Sequence, residues 1–454
     1  MGKKLFILIL FAGVMFTRGA LAAPDDVIRF ADPNFKAAAL RSMRKEATDD
    51  ITEAEAAKTA RLDIENSGIT DFSGIEYFTG LKRLNCSGNR LTELDFSGSP
   101  ALTELDCSGN LLTELDVSGN PAIVNLRCSD NLLTELDVGG NPALMFLVCM
   151  RNQIAGLDVS GSPALTDLDC SDNLLTELNV SGNPALTDLS CGFNRLTELD
   201  VSGNHRLINL LCSVNLLTEI DVGGNPALMF LVCDGNQLAE LDVSGNPELT
   251  NLFCGNNLLT ELNVSGNPGL VYLNCEANLL TEIDVSGNPE LMSLLCGNNL
   301  LTGIDISGNP VMETLFCSGN QLEELDISGS SKLKSLFCYD NRLDKLFLLF
   351  NSQLRVLDCT NNYFQDKTAL IGLNKNTSLS IIPQKEGPLA VDSFDSQLPP
   401  ARSFIPPYDA ETPSEPDAGP ESRPAPVKPL FIIVPLIIAG GAGAIAVAAG
   451  RRKK

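Results

Sequence analysis

Between residues 81 and 364 the apolar positions recur without drift. A typical stretch, Leu102 to Ala122, reads LTELDCSGNLLTELDVSGNPA, and near-copies precede and follow it. Cysteines fall on every twenty-first residue from Cys86 to Cys359, fourteen in all, and each is followed three residues later by an asparagine, Asn89 through Asn362. In a segment such as Glu104-Leu105-Asp106-Cys107-Ser108, strand alternation points Leu and Cys inward and the other three outward. One such unit cannot bury its own apolar face. Stacked units can, with each Leu and Cys lying on its counterpart in the next coil. The pattern therefore predicts one short parallel strand per coil, at about 4.8 Å spacing. The asparagine carries both donors and acceptor, which suits it to satisfy the backbone of the turn that leaves the strand. The second half of each unit, as in Leu115-Asp116-Val117-Ser118-Gly119-Asn120-Pro121, is the return segment, and its Gly-Asn-Pro is turn chemistry.

The ends of the array differ from its middle. The unit from Leu62 to Gly80 is one residue longer and places Ile64 in the cysteine slot. Ahead of it, Asp32-Pro33 predicts a helix start and Thr52-x-x-Glu55 a capping box. A short helical cap over residues 23–60, shielding the first coil, is expected. The solenoid then runs over 61–364, with a C-terminal cap over 365–386.

The unit L-x-x-L-x-C-x-x-N-x-L resembles the leucine-rich repeat with cysteine in one leucine slot. Over roughly residues 25–385 the chain is similar to the internalin J-like bacterial surface proteins, whose 21-residue repeats carry a stacked row of cysteines. The resemblance implies an α/β-type leucine-rich-repeat solenoid, with a curved parallel sheet on its concave face and a mostly irregular convex side. It also implies adhesion or protein binding. Leu398-Pro399-Pro400-Ala401-Arg402 departs from the LPxTG sorting signal that such proteins commonly carry.

The flanks predict placement at a cell membrane. Lys3 and Lys4, the apolar Leu5 to Phe16 and the small Ala20-Leu21-Ala22 read as a secretory signal over 1–22. Residues 387–429 hold eleven of the 25 prolines and read as an extended acidic linker. Leu430 to Gly450 is uncharged and long enough to span a bilayer, and the basic Arg451–Lys454 tail follows, predicting a single-pass anchor with the repeats outside.

Composition narrows the chemistry. A formal net charge of −25 argues against nucleic acid as partner. With His205 as the one histidine and no tryptophan, neither a catalytic constellation nor a metal centre nor a cofactor site can be assembled. The cysteines are expected as unpaired core thiols. In-register parallel strands hold successive Cβ atoms about 4.8 Å apart, beyond the 3.5–4.5 Å of a disulfide, and a straight row cannot converge four sulfurs on zinc. Glu93, Glu114, Glu135, Glu177, Glu198, Glu219, Glu240, Glu261 and Glu282 form an acidic ladder. Asp95, Asp116, Asp137, Asp158, Asp200, Asp221, Asp242 and Asp284 form another. Both read as a solvated flank, with weak calcium binding as the sharper alternative.

The repeats can be compared with one another. The return half barely changes, whereas the outward strand positions vary, which makes the strand face the candidate binding surface. The residue before cysteine turns largely apolar from the seventh cysteine onward: Leu211, Val232, Phe253, Leu295, Phe316 and Phe337. Phe146, Phe230 and Tyr272, two residues further back, point to the same side, as does Tyr339 just after its cysteine. Such a stripe predicts a site for a protein or peptide ligand on another cell or surface. The competing readings are a structural surface rod and a glycan contact, the latter weakened by the lack of tryptophan.

Overall fold

The computed structural model describes residues 26–373 and 377–380. The signal, linker, anchor and tail segments and the end of the C-terminal cap lie outside them. Among the described residues no helix is long and apolar enough to cross a membrane.

Helix α1 (Pro33–Ser42) opens on Asp32, whose carboxylate accepts the Asn34 N–H at 2.7 Å. Its second oxygen accepts the N–H groups of Thr70 and Asp71 at 2.7 and 3.3 Å, so the cap residue also ties the helix to the first coil. Helix α2 (Glu53–Lys58) carries the expected capping box: Thr52 N–H donates to Glu55 at 2.9 Å, and Glu55 N–H donates back to Thr52 Oγ1. Phe35 packs between Phe30 and Phe72, with ring centroids 5.0 and 4.7 Å away, and these rings close the N-terminal end of the core.

Sixteen strands then form one parallel sheet, from Arg61–Asp63 to Ser378–Ser380. Nearly all are three residues long, with a buried central leucine between two partly exposed neighbours. The register follows the repeat: Leu105 pairs with Leu126 and Leu210 with Leu231. Leu62 pairs with Leu84, twenty-two residues on, as the longer first unit requires. Among the described residues helix is confined to the N-terminal cap and two short 3₁₀ turns. The return side is irregular apart from brief parallel pairs such as Glu135–Asp137 with Gly156–Asp158.

Each coil adds the same residues to a continuous core. In the coil around Cys191, Leu186, Leu189, Cys191, Leu196 and Val201 are completely buried. All fourteen cysteines are buried, and Cys86 through Cys338 are unpaired thiols. The asparagine after each cysteine bonds across coils. Asn215 Nδ2 donates to the carbonyls of Cys212 in its own coil and Cys191 in the coil before, both at 3.1 Å, and its Oδ1 accepts the Leu196 N–H at 3.0 Å. Asn89 through Asn362 repeat this pattern.

A second asparagine ladder escaped the sequence reading. The asparagine of Gly-Asn-Pro, read as a turn residue, is fully buried in Asn183, Asn204, Asn225 and their counterparts. Asn204 Nδ2 donates to Val180 O at 3.0 Å and Asn183 O at 2.9 Å, both in the preceding coil. Serine replaces it at 99, 162 and 330 and bonds the same way, as Ser162 Oγ does to Val138 O and Asn141 O. That exchange between two small polar residues was the available signal.

The turn after the strand has a further constraint. The second residue after every cysteine lies in the left-handed region, with φ between +51° and +67°. Glycine, Asn or Asp fills most of these positions, but Arg151, Phe193, Val214 and Ala277 do not. A β-branched residue there is strained. Val214→Gly removes that strain and gives up little burial, because Val214 is 42% exposed. It is expected to raise the unfolding free energy by about 0.5–1 kcal/mol after the entropy that glycine adds to the unfolded chain, seen as a higher denaturant midpoint. Asn215→Ala strands two carbonyls and one N–H in the core and is expected to cost about 3 kcal/mol or more. Chemical denaturation of both variants checks the pair.

Candidate functional site

The strand face is built by two outward rows, one preceding each inward leucine and one preceding each cysteine. All ten residues of the expected stripe lie outside the core, and all are half-buried rather than freely exposed. In-register pairing sets like positions side by side, so neighbouring side chains cover one another. Leu211, Val232 and Phe253 are consecutive partners. Leu295, Phe316 and Phe337 are likewise. The Phe316 ring lies 5.7 Å from Phe337 and meets Tyr339 edge-on at 5.8 Å. Asn274, buried, separates the two runs. Phe230 and Tyr272 flank Asn251 in the other row. Phe146 stands apart, divided from Phe230 by the coils of Asp167, Asp188 and Asn209.

The N-terminal coils are polar. Arg83 and Glu104 form an ion pair at 2.6 Å, and a hollow of 230 Å³ is lined by Arg61, Asp63, Asn85, Asp106 and Arg127 among others. The face thus grades from charged to apolar along the solenoid.

Two functional candidates went unnoticed in the sequence: Asp234 and Glu276, each directly after a cysteine. Burial pushes the Asp234 carboxyl up to about 6 and the Glu276 carboxyl up to about 7, with Asp234 adding to the latter. Their row is otherwise mostly Ser and Gly, and that contrast was the usable signal.

A groove of 2620 Å³ lies on the return face. Leu115, Leu136, Leu178 and Leu199 floor it, and the two acidic ladders wall it. The aspartates there have a structural role as well as a charge. Asp116, Asp158 and Asp200 each accept the backbone N–H of a serine two residues on, at 2.9 Å, which pins the return turn, and that serine's hydroxyl together with its N–H lowers their pKa. His205 contacts Gly224 O from the surface through Nδ1, at 3.0 Å. Among the described residues no group of three His, Cys, Asp or Glu side chains could hold a metal ion.

Residues 79–120 match the family model of leucine-rich repeats in two copies. Internalin J of Listeria monocytogenes serotype 4b is 43% identical over 68 residues, a match that spans 15% of this chain and 7% of that relative. The structure is similar to the functional domain of InlJ from Listeria monocytogenes, which includes a cysteine ladder. The TM-score is 0.73 at 39% identity, over 77% of this chain and 79% of that one. An internalin from Listeria monocytogenes strain 4b F2365 shares the fold at a TM-score of 0.59 and 20% identity, over 81% of this chain and the whole of the other.

Two outcomes are expected. Burial raises every thiol, to about 12 at Cys212 and Cys317, and only thiolates react readily. Mass spectrometry after iodoacetamide treatment at mildly alkaline pH should find no labelled cysteine in the folded protein, and all fourteen labelled after unfolding without reductant. The second concerns Glu276. Its folded pKa is raised, so its contribution to stability is fully present below the ordinary 4.5 and is lost as pH rises through about 7. Glu276→Gln should therefore raise the melting temperature above neutral pH and leave it nearly unchanged well below 4.5, as paired thermal melts would show.

Proposed function

The chain belongs to the internalin J-like leucine-rich-repeat proteins with a cysteine ladder, and on that premise we propose that it is a cell-surface binding protein engaging a protein ligand through its strand face. The observation that carries this reading is the contiguous, half-buried apolar stripe of Leu295, Phe316, Phe337 and Tyr339, with Leu211, Val232 and Phe253 beyond Asn274. These side chains add nothing to the leucine–cysteine core, which is already closed beneath them. Large apolar and aromatic groups held on a rigid sheet are the usual anchors of protein interfaces. Phe230 and Tyr272 extend the stripe sideways, Phe146 supplies a separate contact, and the charged N-terminal coils form a polar approach. The secretory segment and the apolar span near the C-terminus support surface display.

Replacing Phe253, Phe316 and Phe337 together with Ser tests the reading. Cells displaying the wild-type chain are expected to adhere to partner cells, and cells displaying the triple variant are not. Because the rings are half-buried, each replacement should also cost on the order of 1 kcal/mol, far less than a core change such as Leu252→Ser. Undiminished adhesion of the triple variant, at equal display, would remove the stripe from the binding site.

A further inference from the structure

Twelve return turns, between Glu93 and Gly329, fill their outward slots in one way. Glu or Gly precedes the leucine or isoleucine, Asp or Asn follows it, and Ser or Gly and then Gly complete the turn. The thirteenth turn reverses all four. Lys345 stands in the Glu slot, Phe347 in the Asp slot, and Leu349 and Phe350 in the Ser and Gly slots. The carboxylate that pins the turn, as Asp326 does at 2.9 Å through the Ser328 N–H, is lost with them. Strand pairing takes its place: Leu346–Phe347 pairs in parallel with Leu370–Ile371, and Leu348 N–H donates to Ile371 O at 2.7 Å.

That pairing sets Phe347 beside Ile371, and Leu349 Cδ2 lies 2.8 Å from where a Cβ on Gly372 would stand. Phe347, Leu349, Phe350 and Ile371 are all exposed. Leu349 and Phe350, at 64%, are the most exposed large apolar residues described. The coil itself does not need them, because Leu346 and Leu348 already fill its core. Charge changes over the same stretch. Residues 61–330 hold 8 Lys or Arg against 37 Asp or Glu, whereas residues 331–373 hold 6 against 4. Lys332, Lys345, Arg355 and Lys367 are exposed there, and none forms an ion pair with a described residue. Lys345 directly precedes one strand of the pair, and Lys367 opens the 3₁₀ turn that leads into the other. The acidic ladders stop one coil earlier, at Glu324 and Asp326.

We infer that the last coil seats end-on in an anionic lipid surface. Phe347, Leu349, Phe350 and Ile371 enter the acyl boundary, and Lys345 and Lys367 meet the headgroups. Exposed Phe and Leu beside Lys is the combination that interfacial binding draws on, apolar burial and attraction to anionic lipid acting together. Position favours a lipid surface over a protein partner. The chain leaves this end of the solenoid at Ser380, 50 residues before the uncharged span that starts at Leu430. The acidic coils are repelled by the same lipids, so contact is confined to the end coil and the strand face stays free. This contact is separate from the strand-face ligand and does not depend on it.

The chain has no tryptophan, so Phe350→Trp places a single reporter in the patch. The full-length variant is reconstituted into phosphatidylcholine vesicles and into vesicles with about one third phosphatidylglycerol. In the anionic vesicles its emission is expected to shift to the blue by about 10 nm. Acyl chains brominated near their carbonyl end should quench it there, at a depth of about 5–10 Å. In phosphatidylcholine alone, or in salt of about 1 M, the emission should remain that of tryptophan in water. Phe193→Trp, at a turn in the acidic coils that is 59% exposed, is the reference and should respond to neither lipid. Adding K345E and K367E to the Phe350→Trp chain should abolish the shift and the quenching, with thermal melts confirming the fold. Blue-shifted emission that brominated lipid leaves unquenched would show a protein cover, from this chain or another copy, and would overturn the inference. Water-like emission in the anionic vesicles, equal quenching in both lipid mixtures, or quenching that survives the charge reversal would overturn it too.

Discussion

A single 21-residue coil cannot satisfy its own backbone, and the rest of the structure follows from that. The carbonyls of Cys191 and Cys212 both accept from Asn215, which belongs to one coil and reaches into the one before. The N–H of Leu196 meets no acceptor in its own coil and donates to that same asparagine. Since an unmet buried backbone group costs about 1–3 kcal/mol, each coil is stable only when stacked. The ladder therefore enforces period, register and parallel direction together. It also makes the two ends problematic, which explains why Asp32 bonds both α1 and Thr70, joining the cap to the first coil.

The constancy of the return half has the same origin. Its buried asparagine or serine bonds the preceding coil, its aspartate pins the turn through a serine N–H, and its leucine and valine fill the core. Every position touches its counterpart above and below, so a change at one must be tolerated by two neighbours. Outward strand positions carry no such obligation. Their variation from Arg83 and Glu104 at one end to Phe316 and Phe337 at the other costs the scaffold little, and that freedom is what a binding surface needs.

Where the scaffold does tolerate strain, it is local. Val214 sits in the left-handed region that glycine fills in other coils, and burial raises the Asp234 and Glu276 carboxyls above the usual carboxylate range. A stack of near-identical coils has stability distributed over many interfaces, so one costly residue does not unfold it. Departures from the repeat are then informative: each is a position where the fold's own requirement has been overridden.

Much was legible in one dimension. The inward cysteines, the parallel register and the longer first unit follow from spacing, because stacking puts the same residue type in the same slot every turn, and the two helix N-caps follow from Asp32-Pro33 and Thr52-x-x-Glu55. The apolar stripe was legible too, as a list of outward residues, though not as a surface. Only the tertiary structure decided that Phe146 stands apart, that the rings of Phe316, Phe337 and Tyr339 cover one another, and that the second asparagine row is core rather than exposed turn. The physical reason is that burial and charge environment depend on neighbours one and two coils away, at separations of 21 and 42 residues, where periodicity states which slots align but not what each side chain meets there.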